Sequence, residues 1–442
     1  MTATVGEPLT SGTAKKRLPR LDGIRGLCAV SVIFAHVAFA TIVLSPEMGK
    51  PPDGIWSILA AGQLSIGPFF VLSGLLLYRP FVRMTLAGGP KPDIGSYFMR
   101  RLARMLPAFY LVTTCSLLLL NLSSLHGVWD VLRPYFLLHV YDYHWYAGLD
   151  VAWTVPTEMQ FYLLLPVFAW IAHRMARRVD DPGKKAVRML APIILLLVVQ
   201  FSWELYLHST NTTWPTTYFY PFGIAGLLGA GMLLAIVSVL SETAPEKTPG
   251  WYRLASRHPG FYWLLALGTY LINCAQPFDT PGTAHFQAAP AALVRSALLL
   301  LSGVFLVLPL FPPDANNRFI EVVAGNPVSR YLGRISYGLY LWHFFVIYMV
   351  LKDGSVFGAP VAPIQAFLGQ FGFWKLFLEA LFGTIVVASL SFWVVERPII
   401  RLVERRVRTR TARRAAANDT TSPAAIPGRV EPGYEDRSAT RV

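Results

Sequence analysis

"AALVRSALLLLSGVFLVLPLF", residues 291–311, carries a single charge, Arg295, in 21 residues. A helix needs about 20 apolar residues to cross the hydrocarbon core of a bilayer. "APIILLLVVQFSWELYL" (191–207) and "FLEALFGTIVVASLSFWVV" (377–395) read the same way, and the whole chain agrees with them. Of its 442 residues 54% are hydrophobic and 14% charged, against roughly a quarter charged in a soluble domain. The fold class implied is an all-α polytopic membrane protein. About ten transmembrane helices are expected, near 24–44, 56–78, 107–125, 153–173, 189–208, 218–240, 260–277, 291–313, 331–351 and 373–395.

The net charge of +14 is explained by where the cations fall. With the N-terminus in the cytoplasm, 32 of the 39 Lys and Arg lie on the inner side of these spans, and only Lys50, Arg133 and Lys352 lie outside. That asymmetry obeys the positive-inside rule and places both termini in the cytoplasm, so the charge argues topology and membrane lipid rather than nucleic acid. A multi-pass protein of the cytoplasmic membrane is expected. Its parts are a disordered lead-in (1–20), an integral domain (21–405) and a disordered basic tail (406–442). Cys28, Cys115 and Cys274 sit in apolar segments without metal-ligand spacing, so neither a disulfide framework nor a metal site is expected. The loop 126–152 holds His126, His139 and His144 among aromatic residues; their spacing favours interfacial packing over ligation. "NTT" at 211–213 fits a glycosylation acceptor only in a eukaryotic secretory setting.

Charged groups inside spans cost at least a few kcal/mol, so they mark where function is to be sought. The first helix carries Asp22, Arg25 and His36. Arg25 and His36 are eleven residues apart, about 20° from a common face and about 16 Å along the axis. In "GSYFMRRLARMLPAFY" (95–110), Arg101 and Arg104 are i, i+3 with Arg100 adjacent, a grouping suited to bidentate phosphate contacts. "AWTVPTEMQFYLLLPVF" (152–168) buries Glu158 and Gln160, and "RYLGRISYGLYLWHFFV" (330–346) aligns Ser336, Tyr340 and His343 in one polar stripe.

Taken together these stretches resemble the integral-membrane acyltransferase family 3. The matching segments, in chain order, are "LDGIRG" with His36, "FFVLSGLLL" (69–77, with Ser73), "RRLARMLP", "WTVPTEMQFYLLLP", "LGRISYGLYLWH" and "VERPIIRL" (395–402). Many relatives have two consecutive acids in the fourth motif, whereas here Glu158 is followed by Met159. No fused extracytoplasmic hydrolase domain of the SGNH type is expected.

The resemblance implies O-acyl transfer without a permanently bound cofactor. Acyl-coenzyme A is the co-substrate, and the acceptor is a hydroxyl of an envelope glycan, a glycolipid or another exported or lipidic molecule. On this reading Arg25, Arg100, Arg101 and Arg104 bind the donor, His36 acts as general base, and Glu158 joins the catalytic set. Asp22, Ser73, Gln160, Ser336, Tyr340 and His343 support it. The rival classes are a secondary transporter of a small or lipidic solute, which would need paired broken helices or an inverted repeat, and a non-catalytic sensor.

Overall fold

The computed structural model describes residues 19–41, 66–141, 144–209, 220–275, 289–312, 317–351 and 370–421. Among them there is no strand. The helices are α1 (Pro19–Ala40), α2 (Ile66–Leu86), α3 (Ile94–Leu119), α4 (Val128–Tyr135), α5 (Thr154–Ala176), α6 (Pro182–Arg188), α7 (Ala191–Ser209) and α8 (Ala225–Thr243). They continue with α9 (Gly250–Arg257), α10 (Pro259–Ala275), α11 (Ala289–Val307), α12 (Arg318–Ala324), α13 (Pro327–Arg334), α14 (Ser336–Leu351), α15 (Phe373–Ser391) and α16 (Arg397–Thr421).

Eight helical segments among the described residues are long and apolar enough to cross a membrane, and the pair α13–α14, bent by 71°, makes a ninth. α10, 17 residues long, stands where the remaining span was expected. Leu163, Ile194, Leu264 and Phe382 are exposed around the perimeter, as a lipid-facing surface requires. α8 lies at the centre, nearly all of it buried. The NTT tripeptide and the lead-in up to residue 18 fall outside the described residues.

Without a hydrophobic force between helices in lipid, small residues let backbones approach and gain packing energy. α2 and α8 meet in this way: a Cβ on Gly74 would overlap the Leu228 carbonyl, and one on Gly231 the Val71 carbonyl. α1 lies against α12 and α13 through Gly23, whose missing Cβ is replaced by the Ala324 carbonyl, and through Gly333, which receives the Asp22 carbonyl. The glycines of "LDGIRG" and "LGR" are therefore a contact surface. Gly333→Ala would force a methyl into backbone that cannot yield, and overpacking of this kind costs about 1–3 kcal/mol. A clear loss of thermal stability in detergent is expected. The control Gly268→Ala, at a site with nothing within 4 Å, should not lose any; equal melting of the two variants would refute this packing.

Two local features shape the interior. α13 stops at Arg334 and α14 leaves at a new angle, with Ser336 Oγ donating to the Gly333 carbonyl at 3.0 Å. Between α15 and α16 a π turn, Phe392–Glu396, precedes Pro398, which has no N–H to continue the ladder. The turn leaves Glu396 buried, accepting from Ser391 Oγ at 3.1 Å. α16 then runs past residue 406, where composition placed the start of a disordered tail, and on to Thr421. Arg and Ala, which dominate 405–417, are strong helix formers.

The loop 126–152 folds back onto the helix ends. Asn121 Nδ2 donates to the Ser116 carbonyl (2.8 Å) and the Ala147 carbonyl (3.0 Å), while its Oδ1 accepts from Ala147 N at 2.9 Å. Asp150 accepts from Trp145 Nε1 (3.0 Å), Gly148 N (3.1 Å) and Tyr348 OH (3.3 Å). Burial nevertheless pushes its carboxyl up to about 6. His139 is buried against Phe109, ring centroids 6.0 Å apart, and burial pushes its imidazole down to about 4.

Candidate active site

Asp93 caps α3, accepting from Ser96 N at 3.2 Å and also from the Ser96 hydroxyl. From that helix Arg100, Arg101 and Arg104 all reach one cavity of about 770 Å³. The cavity lies between α2, α3, α5 and α14. Arg25 enters it from α1 and Ser73 from α2. Arg79 and Arg83 from α2, and Lys91 from the connection that follows, complete seven cationic side chains against two carboxylates, Asp93 and Glu158.

Glu158 sits among these cations. Tyr162, one turn on, donates to Glu158 Oε2 at 2.7 Å, and the Tyr162 carbonyl accepts from Tyr97 OH at 3.3 Å. Arg25, Arg101 and Arg104 act on the carboxylate electrostatically, yet no ion pair within 4.0 Å joins it to any of them among the described residues. Arg101 is largely buried and its Nε has no hydrogen-bond partner. Buried donors left open are costly and mark a place where a ligand fits. The cavity wall thus includes a buried guanidinium, that of Arg101, with unfilled hydrogen-bonding capacity.

At the inner end stands Tyr340, its hydroxyl donating to the Val151 carbonyl at 3.0 Å and its ring 6.4 Å from that of Phe69. Against Tyr340, ring centroids 6.0 Å apart, lies His343, and beside His343 lies His36. His36 Nδ1 and His343 Nε2 are 2.9 Å apart. His343 Nδ1 is 2.7 Å from the Tyr340 carbonyl. A carbonyl only accepts, so the assignment consistent with neutral rings puts the His343 proton on Nδ1 and leaves its Nε2 as acceptor. His36 then donates from Nδ1, which leaves a lone pair on its Nε2. Two neutral imidazoles in series orient one basic nitrogen.

Most of the residues singled out in the sequence are brought together. Arg25, Ser73, Arg100, Arg101, Arg104, Glu158, Ser336 and Tyr340 line the cavity. His36 and His343 pair next to its inner end rather than lining it. Asp22 acts on Arg25 through its charge. Gln160 is turned away, bonded to the hydroxyl of Tyr141 in the outer loop. Glu158, expected in the catalytic set, lies among the arginines. Arg79, Arg83, Lys91 and Tyr162 were not foreseen. The three cations had been counted as topology, and Tyr162 stood unremarked within the Glu158 motif.

A family described as an acyltransferase domain matches residues 18–396. The peptidoglycan O-acetyltransferase OatA of Listeria monocytogenes is 25% identical over 410 residues, covering 88% of this chain and 57% of that protein. A putative peptidoglycan O-acetyltransferase of Bacillus subtilis is 25% identical over 399 residues, 86% of this chain and 55% of its own length. Nodulation protein 10 of Rhizobium leguminosarum is 23% identical over 410 residues, 86% of this chain and 93% of its own length. The chain therefore spans little more than half the length of the first two relatives. No solved structure matches it.

Proposed function

The chain belongs to the integral-membrane acyltransferase family 3, and from that membership we propose that it moves an acyl group from acyl-coenzyme A to a hydroxyl of an envelope glycan. The observation that carries this reading is a cavity lined by seven cations that ends at Tyr340, from which His343 and then His36 follow in contact. Two relatives named as peptidoglycan O-acetyltransferases, one of them putatively, favour acetyl as the group and a cell-wall sugar as the acceptor. The positive-inside distribution supports a cytoplasmic side for the basic end of the cavity, where acyl-coenzyme A is made.

The donor's phosphates bind the guanidiniums at the mouth, and its pantetheine arm reaches inward toward Tyr340. As the acceptor oxygen attacks the thioester carbonyl, its proton passes to His36 Nε2. Collapse of the tetrahedral adduct breaks the C–S bond. The departing thiolate takes the proton back, leaving an ester and free coenzyme A. His343 holds the His36 ring in the basic tautomer, and Tyr340 positions His343 through its carbonyl. Glu158, held by Tyr162, offsets the repulsion of Arg25, Arg101 and Arg104 without pairing with any of them, which leaves their donors for phosphate.

The purified protein provides the test. Acetyl-coenzyme A at 100 times its Kd should stabilise it against heat by about 2.7 kcal/mol, and addition of a glycan acceptor should release thiol. Thermal protection by a solute that is recovered chemically unchanged, with none by acetyl-coenzyme A, would favour a transporter instead.

A further inference from the structure

The cations of the cavity fall into two groups. On α3 the charges that act on Arg101 are those of Arg104 and Arg100, and Arg25 from α1 is acted on by Arg104. On α2 the charges that act on Arg79 are those of Glu242 and Arg83. Arg79 and Arg83 are one turn apart and share the Glu242 carboxylate of α8: Arg79 Nη2 bonds Oε1, and Arg83 Nη2 bonds Oε2 at 2.9 Å. Each group also contains an unfilled donor, Arg101 Nε in the first and Arg79 Nε in the second, both buried without a partner. Lys91 stands in the connection between the two helices.

One ligand that satisfies both groups carries two anionic centres. Coenzyme A has this form: a pyrophosphate on the ribose 5′ carbon and a monophosphate on the 3′ carbon. The pyrophosphate continues into the pantetheine arm, so it belongs with the group that holds Arg25 and acts on Glu158. The 3′-phosphate lies at the far end from the thioester and belongs with the pair on α2, Arg79 and Arg83. We infer that Arg79, Arg83 and Lys91 form a second subsite that reads the 3′-phosphate of the donor. The inference rests on the acyl-coenzyme A reading above and deepens it.

Glu242 occupies that subsite as a one-charge substitute. A phosphate brings up to two charges and three acceptor oxygens, enough to take both guanidiniums and to fill Arg79 Nε as well. The carboxylate keeps the arginines splayed and aimed while the cavity is empty, so little side-chain freedom is lost on binding. The subsite thereby selects coenzyme A thioesters over carriers that end in a lone phosphopantetheine.

The experiment compares coenzyme A with dephospho-coenzyme A, which lacks only the 3′-phosphate, by calorimetry on the full chain in phosphatidylcholine nanodiscs. The wild type should bind coenzyme A about 10- to 100-fold more tightly. Arg79→Gln with Arg83→Gln should bind both ligands alike, with dephospho-coenzyme A affinity within about 3-fold of the wild type, which also certifies the variant's fold. Arg79→Lys with Arg83→Lys should recover part of the preference through charge alone. A wild type that binds both ligands equally, or a Gln double variant that keeps the preference, overturns the second subsite and leaves the donor reading intact. Binding of neither ligand overturns both.

Discussion

His36→Ala is expected to lower turnover by about 10²–10⁴-fold, the usual contribution of a positioned general base, with the donor KM changed by no more than about 3-fold. The separation of the two effects follows from the geometry. His36 does not line the cationic cavity; it meets it only through His343 and Tyr340. Removing it takes away the proton acceptor and touches none of the guanidiniums. His343→Ala removes the ring that fixes the tautomer, so it should reduce turnover less and in the same direction. Thiol release from acetyl-coenzyme A in the presence of a glycan acceptor reports both. Wild-type turnover by a folded His36→Ala protein would remove the base from the mechanism.

The mirror-image result is expected of Arg101→Ala with Arg104→Ala. Each guanidinium offers charge-assisted hydrogen bonds of about 1.5–3 kcal/mol, so the pair should raise the donor Kd by about 10²-fold or more, short of the simple sum because Arg25 and Arg100 remain. Acceptor KM should stay near the wild-type value. Part of the loss is electrostatic, so raising the salt concentration should narrow the gap between wild type and variant. An unchanged donor affinity would assign these arginines to topology alone.

These variants also mark how far the sequence could be read. Hydropathy set out the spans because lipid demands long apolar helices with internally satisfied backbones. The charge asymmetry implied an orientation, and periodicity within single helices picked out Arg101 with Arg104 and Ser336 with Tyr340 and His343. What stayed hidden was every relation between helices. His36 and His343 were each conspicuous, but nothing in a helical period shows that residues 307 positions apart share a proton. The 71° bend at residue 335 has no proline to announce it. Gln160 shared the Glu158 motif, yet two helical positions rotate it by about 200° to the outer loop. Arg79, Arg83 and Lys91 satisfied the positive-inside rule so well that no second use was sought for them.

The close seat of α1 on α12 and α13 bears on how the protein is made. α1 is made before α12 and α13, so Gly23 cannot meet Ala324, nor Gly333 Asp22, nor Arg20 reach Glu321 at 2.5 Å, until some 300 further residues have been inserted. Contacts so distant in sequence form late. During synthesis the first helix therefore waits for its partners on α12 and α13. The cation-lined cavity is largely built before α14 delivers His343. A chain arrested ahead of that point has donor-binding groups in place without an oriented base, so unfinished copies should hold the thioester without spending it on water.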